Sequence, residues 1–221
     1  MSLWVKVCAN TSLEDARMAA EAGADAVGFV FAASPRQVTV EQVARIAPQL
    51  AAPVETIGVF VEAELAAIVE AVERCGLTGV QLHSGGAGFP ALLRARFGAG
   101  LRILRVVHFG AGAVDELAQA AAEPAVDAVL VDSRRGAVVG GTGVAFDWHT
   151  ARGTIFAPER SLRLIAAGGL RPENVGEAIG TLRPWGVDVA SGVEEVPGRK
   201  DAAKVRAFVA NARAAERAIS G

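Results

Sequence analysis

Cys8 and Cys75 are the only two cysteines in a chain of 221 residues. A disulfide scaffold needs more of them and usually a smaller chain. No tight Cys/His cluster accompanies either one, so the sequence offers no compact metal site. Also missing is any charge-free apolar run of about 18 residues, the length of a membrane span. A basic excess is absent as well: the net charge is −2 and the lysines and arginines are scattered, which argues against a nucleic-acid partner. The N-terminus lacks a basic segment leading into an apolar run and a cleavage site. These absences leave a reducing cytoplasm as the expected location and a small molecule as the expected partner, with no membrane and no nucleic acid. What the chain does have is apolar content, 52 % of its residues, ample for a real core.

That apolar content is distributed in a repeating pattern. Short, largely β-branched runs occur at WVKVC (4–8), AVGFVF (26–31), ETIGVF (55–60), GVQLH (79–83), RILRVV (102–107), AVLVD (128–132), LRLIA (162–166) and GVDVA (186–190). Alanine-rich segments with charges at helical spacing separate most of them, beginning with SLEDARMAAEAG, where Ser12 supplies an N-cap and Gly23 a stop. Runs that are apolar on both faces, each followed by a helix, predict a parallel sheet covered by helices. Eight such units nearly exhaust the chain, so a single closed (β/α)8 TIM barrel over 1–221 is the expected fold and one catalytic domain the expected organisation. A doubly wound open sheet is the alternative, but no GxGxxG follows the first strand.

In this barrel, chemistry gathers where strands end and the next loops begin. Cys8 closes the first strand and Asp132 the sixth; Arg36 lies in the loop after the second, His83 ends the fourth, and Asp188 lies late in the eighth. Barrel closure brings Cys8, Asp132, Arg36 and Asp188 to one mouth, and strand parity points His83 there as well. Free cysteines are most often inert packing residues, so Cys8 stands between a core residue and a reactive thiol. Lys6 shares strand parity with Cys8, about 6.5 Å deeper, and a lysine pointing into a barrel must be paired. Asp188 is its expected partner, because the eighth strand closes against the first; the alternative has Lys6 facing outward. His83 reads equally as a substrate contact or a structural histidine. His108 is a weaker candidate, and His149 and Cys75 read as structural.

Glycine-rich turns occupy the last three loops: GGTG (140–143), AAGGL (166–170) and ASGVE (190–194). Glycines let backbone N–H groups approach an anion closely, and the last two loops are the usual phosphate site of this fold. Gly141, Gly143, Gly168, Gly169, Ser191 and Gly192 are therefore the candidate phosphate-binding residues. The long loop after the sixth strand also carries Arg134 and Arg135, which are as compatible with solvent as with a ligand.

VKVCAN, DAVGFVF with SPR, GVF, GVQLH, the VD ending the sixth strand, GGTGVAFDW, AAGGLRPENV and VDVASGVEEVPGRKD occur in this order along the whole chain. Together they resemble the phosphoribosylanthranilate isomerase family of tryptophan biosynthesis. The resemblance implies an Amadori rearrangement without cofactor: N-(5-phosphoribosyl)anthranilate goes to 1-(o-carboxyphenylamino)-1-deoxyribulose 5-phosphate. It implies Cys8 as general base and Asp132 as general acid. It also implies Arg36 at the anthranilate carboxylate and Asp188 near the substrate amine, in a monomer or homodimer. Two positions depart from the family pattern: Ala9 replaces the glycine of KICG, and Ser84 the glycine of QLHG. An added Cβ at position 9 matters only if the backbone there needs positive φ or a close ligand approach. Another phosphosugar isomerase or synthase barrel, or a phosphosugar-binding protein without turnover, are the remaining readings.

Overall fold

The computed structural model describes residues 2–51, 53–84, 88–132, 147–157 and 162–220. Its centre is a closed barrel of eight parallel strands in sequence order. These are β1 (Trp4–Val7), β2 (Ala26–Val30), β3 (Glu55–Phe60), β4 (Gly79–Leu82), β5 (Arg102–His108), β6 (Ala128–Asp132), β7 (Leu164–Ala167) and β8 (Gly186–Val189). The outer helices are α1 (Leu13–Glu21), α2 (Val40–Ile46), α3 (Leu65–Cys75), α4 (Phe89–Phe97), α5 (Ala113–Ala121), α6 (Trp148–Thr154), α7 (Val175–Leu182) and α8 (Ala202–Ser220). The ring closes where β1 pairs with β8, with Lys6 opposite Asp188.

Local chemistry fixes the helix starts. Ser12 accepts the Asp15 N–H at the head of α1, Thr39 and Gln42 form a reciprocal capping box on α2, and Asp147 accepts two N–H groups of α6. The strands alternate as a barrel requires. One set of side chains, including Val5, Val7, Val27, Phe29 and Val80, packs beneath the helices. The other set, including Trp4, Ile57, Leu104, Leu130 and Ile165, fills the interior. At the end of β1 where the interior stack begins, Trp4 stacks on Trp185 at 5.4 Å between ring centres. Arg102 lies 5.4 Å and Arg163 5.3 Å from the Trp185 ring, closing that end with cation–π contacts.

Three departures from the sequence pattern affect the site. Cys8 lies one residue beyond β1, although its N–H still donates to the Val189 carbonyl at 2.7 Å. The strand stops there because Ala9 takes φ +64°. Next, β7 begins at Leu164, two residues later than LRLIA suggests, because its ladder to β6 starts with Val129 opposite Leu164. Finally, VEEVPGRK forms a small antiparallel ribbon, β9 (Glu194–Val196) and β10 (Arg199–Lys200), turned by Pro197 and Gly198.

Candidate active site

Positive φ at Ala9 gives the glycine-to-alanine departure a physical consequence. Alanine in the left-handed region costs about 1–2 kcal/mol, because Cβ crowds the following carbonyl. The turn is held nonetheless: buried Asn10 donates from its side chain to the carbonyls of Val7 at 2.9 Å and Gly28 at 3.2 Å. Ala9→Gly is therefore expected to relieve strain. Glycine's extra freedom in the unfolded chain offsets part of the gain, leaving about 0.5–1 kcal/mol. Thermal unfolding should show a midpoint about 1–4 °C higher. An unchanged or lower midpoint would mean that the turn tolerates the Cβ without strain.

Cys8 is buried, with only 5 % of its surface exposed. Directly across on β2 stands Gly28, where a Cβ would lie 2.6 Å from Cys8 Sγ and 3.0 Å from Lys6 Cε. The missing side chain at position 28 is thus the space that the thiol and the lysine stem share. Lys6 points inward and is fully buried. Its ammonium donates to Gln81 Oε1 at 2.8 Å and to Asp188 Oδ1 at 3.0 Å, so the outward-facing alternative is excluded and the pairing with Asp188 is observed. Gln81 Nε2 in turn lies 3.2 Å from His83 Nε2, which stands 6.0 Å, ring to ring, from His108. A polar chain therefore runs from β8 through β1 and β4 to the mouth.

Electrostatics act on the thiol in both directions. Burial pushes the Cys8 thiol above its ordinary pKa, and Asp188 adds to that, while Lys6 and Lys200 oppose it. For Lys6, burial favours the neutral amine, but Asp188 and Cys8 together outweigh it and the pKa rises. The lysine therefore stays protonated beside the sulfur throughout the physiological range. Asp132 ends β6 and is buried, with His108 opposite it on β5. Around the ring β6 is separated from β1 by β7 and β8, so Cys8 and Asp132 project from well-separated parts of one rim.

The glycine turns after β7 and β8 pack on each other. Gly168 and Gly169 hold φ +79° and +68°. A Cβ on Gly192 would run into the carbonyl oxygen of Leu170, so only glycine lets the two turns approach so closely. Asn174 braces the β7 turn, donating to Gly169 O at 3.0 Å and accepting the Arg171 N–H at 2.8 Å. Ser191 and Gly192 form a short 3-10 turn with Val193. Gly141 and Gly143, with Arg134 and Arg135, lie outside the described residues.

Arg36 has a partner that the sequence reading did not supply. Its Nε lies 2.8 and 3.1 Å from the two carboxylate oxygens of Glu194, and its Nη2 lies 2.6 Å from Oε2. Lys200, buried behind this pair, approaches Glu194 Oε1 at 3.3 Å. Neither Glu194 nor Lys200 emerged from the sequence, where EEVPGRK served only as part of a family pattern. The Pro-Gly dipeptide between two short β-prone pieces was the available sign of a ribbon.

The site thus comprises a buried thiol and a buried carboxylate at separate strand ends of a closed (β/α)8 barrel, with two packed glycine turns after β7 and β8. The family model "N-(5'phosphoribosyl)anthranilate (PRA) isomerase" matches residues 5–211. The N-(5'-phosphoribosyl)anthranilate isomerase of Geobacter sp. (strain M21) is 45% identical over 210 residues, covering 95% of this chain and 97% of that protein. A phosphoribosyl anthranilate isomerase solved with reduced 1-(o-carboxyphenylamino)-1-deoxyribulose 5-phosphate superposes with TM-score 0.80 at 33% identity, over 96% of this chain and all of that one. The Thermotoga maritima enzyme, in a structure of monomers generated from the dimeric form, gives TM-score 0.78 at 34% identity, again over 96% of this chain and all of that one. The chain belongs to the N-(5'-phosphoribosyl)anthranilate isomerase family. It is accordingly an isomerase of tryptophan biosynthesis, an intramolecular oxidoreductase acting on a small-molecule substrate. Among the described residues, no helix is long and apolar enough to cross a membrane.

Proposed function

We propose that Cys8 is the general base and Asp132 the general acid in converting N-(5-phosphoribosyl)anthranilate into 1-(o-carboxyphenylamino)-1-deoxyribulose 5-phosphate. Asp132 protonates the furanose oxygen as the C1–O bond breaks. The anthranilate nitrogen supplies its electron pair, giving an iminium at C1. The Cys8 thiolate then takes the C2 proton, and the electrons left behind form the C1=C2 bond of an enolamine. Proton return to C1 and loss of the C2 hydroxyl proton yield the ketone. One carbon is reduced and its neighbour oxidised, so the substrate balances its own electrons and no cofactor is called for. The carrying observation is Cys8 Sγ seated over Gly28 beside Lys6: burial raises the thiol, and the Lys6 ammonium is the largest influence opposing that rise and favouring the thiolate a base requires.

The phosphate is assigned to the backbone of the closely packed turns at Gly168, Gly169, Ser191 and Gly192, together with Gly141 and Gly143 of the preceding loop. The positive φ values and the Gly192–Leu170 approach support this assignment, since both leave backbone rather than side chain facing the mouth. His83 and Asp188 face the substrate from β4 and β8. The working unit is the barrel itself, one catalytic domain over 1–221, placed in the cytoplasm as its biosynthetic family suggests. It works as a monomer or, as the Thermotoga relative suggests, a homodimer.

The direct test follows the loss of anthranilate fluorescence when purified protein meets freshly made substrate. A well-folded protein that leaves the signal unchanged would reject the isomerase and favour a phosphosugar-binding role. Arg36 is assigned to the anthranilate carboxylate, because a guanidinium matches two oxygens at once. Arg36→Lys keeps the charge and loses the fork, so kcat/KM should fall by about tenfold or more, mainly through KM. Near-native efficiency in that variant would mean that charge alone is recognised.

A further inference from the structure

The most elaborately built side-chain cluster beyond the acid–base pair joins the loop after β2 to the ribbon after β8. Exposed arginine–carboxylate pairs are common and worth little. This one differs because its carboxylate is taken out of water: the Glu194 side chain is 4% exposed and the Lys200 side chain 0%. Lys200 also donates to the Ala190 carbonyl at 3.2 Å, and the Gly198 N–H reaches Glu194 Oε1 at 3.3 Å. The ribbon is itself tied down. Thr11 Oγ1 donates to the Gly198 carbonyl at 2.6 Å, and the Lys200 N–H reaches Asp15 at 3.3 Å. Gly198, at φ +86°, packs so closely that a Cβ would lie 3.2 Å from the Pro35 carbonyl, next to Arg36 in sequence.

Glu194 grips one edge of the guanidinium, the one formed by Nε and Nη2. A guanidinium carries five N–H donors, and this grip leaves the end-on edge, made by Nη1 and the second Nη2 hydrogen, for another acceptor. Among the described residues Nη1 has no hydrogen-bond partner. Burial pulls the Lys200 amine below its ordinary pKa and Glu194 opposes that pull; with the ammonium protonated, Arg36 and Lys200 outnumber Glu194 by one positive charge, and an incoming carboxylate meets a net cation despite the glutamate. Burial favours a neutral Glu194, but Arg36 and Lys200 outweigh it and hold the carboxyl below its ordinary pKa, so the grip persists at neutral pH.

We propose that Glu194, backed by buried Lys200, is a positioning residue that fixes the Arg36 guanidinium so that its free edge receives the carboxylate on the substrate's aromatic ring. The inference rests on the assignment of Arg36 to that carboxylate, and the experiment separates the two. Two competitive inhibitors are compared: the reduced product bearing the o-carboxyl group, and the same phenylamino sugar phosphate without it. Arg36→Ala should weaken the first by about 100-fold and leave the second within a small factor. Glu194→Gln should weaken the first by about tenfold, again sparing the second, and should raise KM more than it changes kcat. Should the single variant fail to fold, Glu194→Gln combined with Lys200→Met removes the orphaned ammonium and is measured in the same way. Equal losses on both inhibitors, or none, in the Glu194 variant would reduce the glutamate to a purely structural role and overturn the proposal while Arg36 still discriminates. If Arg36→Ala fails to discriminate, the carboxylate assignment is wrong and the proposal falls with it.

Discussion

Cys8→Ser is expected to fold normally and to lose about 10²–10⁴-fold in kcat/KM, the range that general-base catalysis supplies. Serine keeps the size of the side chain and fits the same space over Gly28, so the barrel has no steric reason to change. What disappears is acidity, since a hydroxyl is hardly ionised near neutral pH even beside an ammonium. A packing cysteine would behave differently: its serine variant would carry a modest polar defect and retain its turnover. Asp132→Asn should cost a comparable factor by removing the proton given to the ring oxygen, and the two losses should fall short of additive when combined. Circular dichroism fixes the fold and steady-state kinetics the loss. A folded Cys8→Ser enzyme within about threefold of wild type would return the thiol to the inert class to which most buried cysteines belong.

The parts of this molecule that were legible beforehand are those written in periodicity. Eight apolar runs with helices between them specify a closed barrel, and strand parity makes an inward Lys6 with Asp188 as its partner the expected reading beside an outward one; the structure has the inward pair. Parity works because side chains alternate strictly along a strand, so one correct register determines every inward residue. The positions of Cys8 and Asp132 at the rim were legible because each sits where an apolar run stops; the roles proposed for them come from the resemblance. Arg36 was located but its surroundings were not. Its partner Glu194 lies 158 residues away in sequence, in a ribbon too short to show a period. The strained φ at Ala9 was equally invisible, because alanine gives no sign of the backbone it adopts; only the departure from the family's glycine raised the question. Long-range polar contacts between irregular segments are where a sequence pattern carries least information, and here they surround the proposed carboxylate site.

The second large effect concerns Lys6. In the proposed mechanism the base is the Cys8 thiolate and the acid is Asp132. Burial already raises the Cys8 thiol, and Asp188 raises it further; Lys6 is the strongest opposing influence. Lys6→Met removes that cation and leaves the Asp188 carboxylate uncompensated in the barrel. The thiol should move upward, as the loss of an adjacent opposite charge predicts. At pH 7 the thiolate population, and with it kcat/KM, should fall about 10–100-fold. The sign also appears in the pH profile. A higher thiol pKa shifts the limb set by Cys8 toward alkaline pH, and a structural defect would lower the whole curve without moving it. Orphaning a buried charge costs about 3–5 kcal/mol of stability, so the companion variant is Lys6→Met with Asp188→Asn, which leaves no lone ion. That pair relieves Cys8 of its strongest cationic and its strongest anionic influence together, and its limb should lie between those of wild type and the single variant. A single variant that loses activity while its limb stays at the wild-type pH would show that Lys6 holds the barrel together without tuning the thiol. The measurement is kcat/KM from pH 6 to about pH 10 for the three proteins, with the apparent values read as properties of the coupled site.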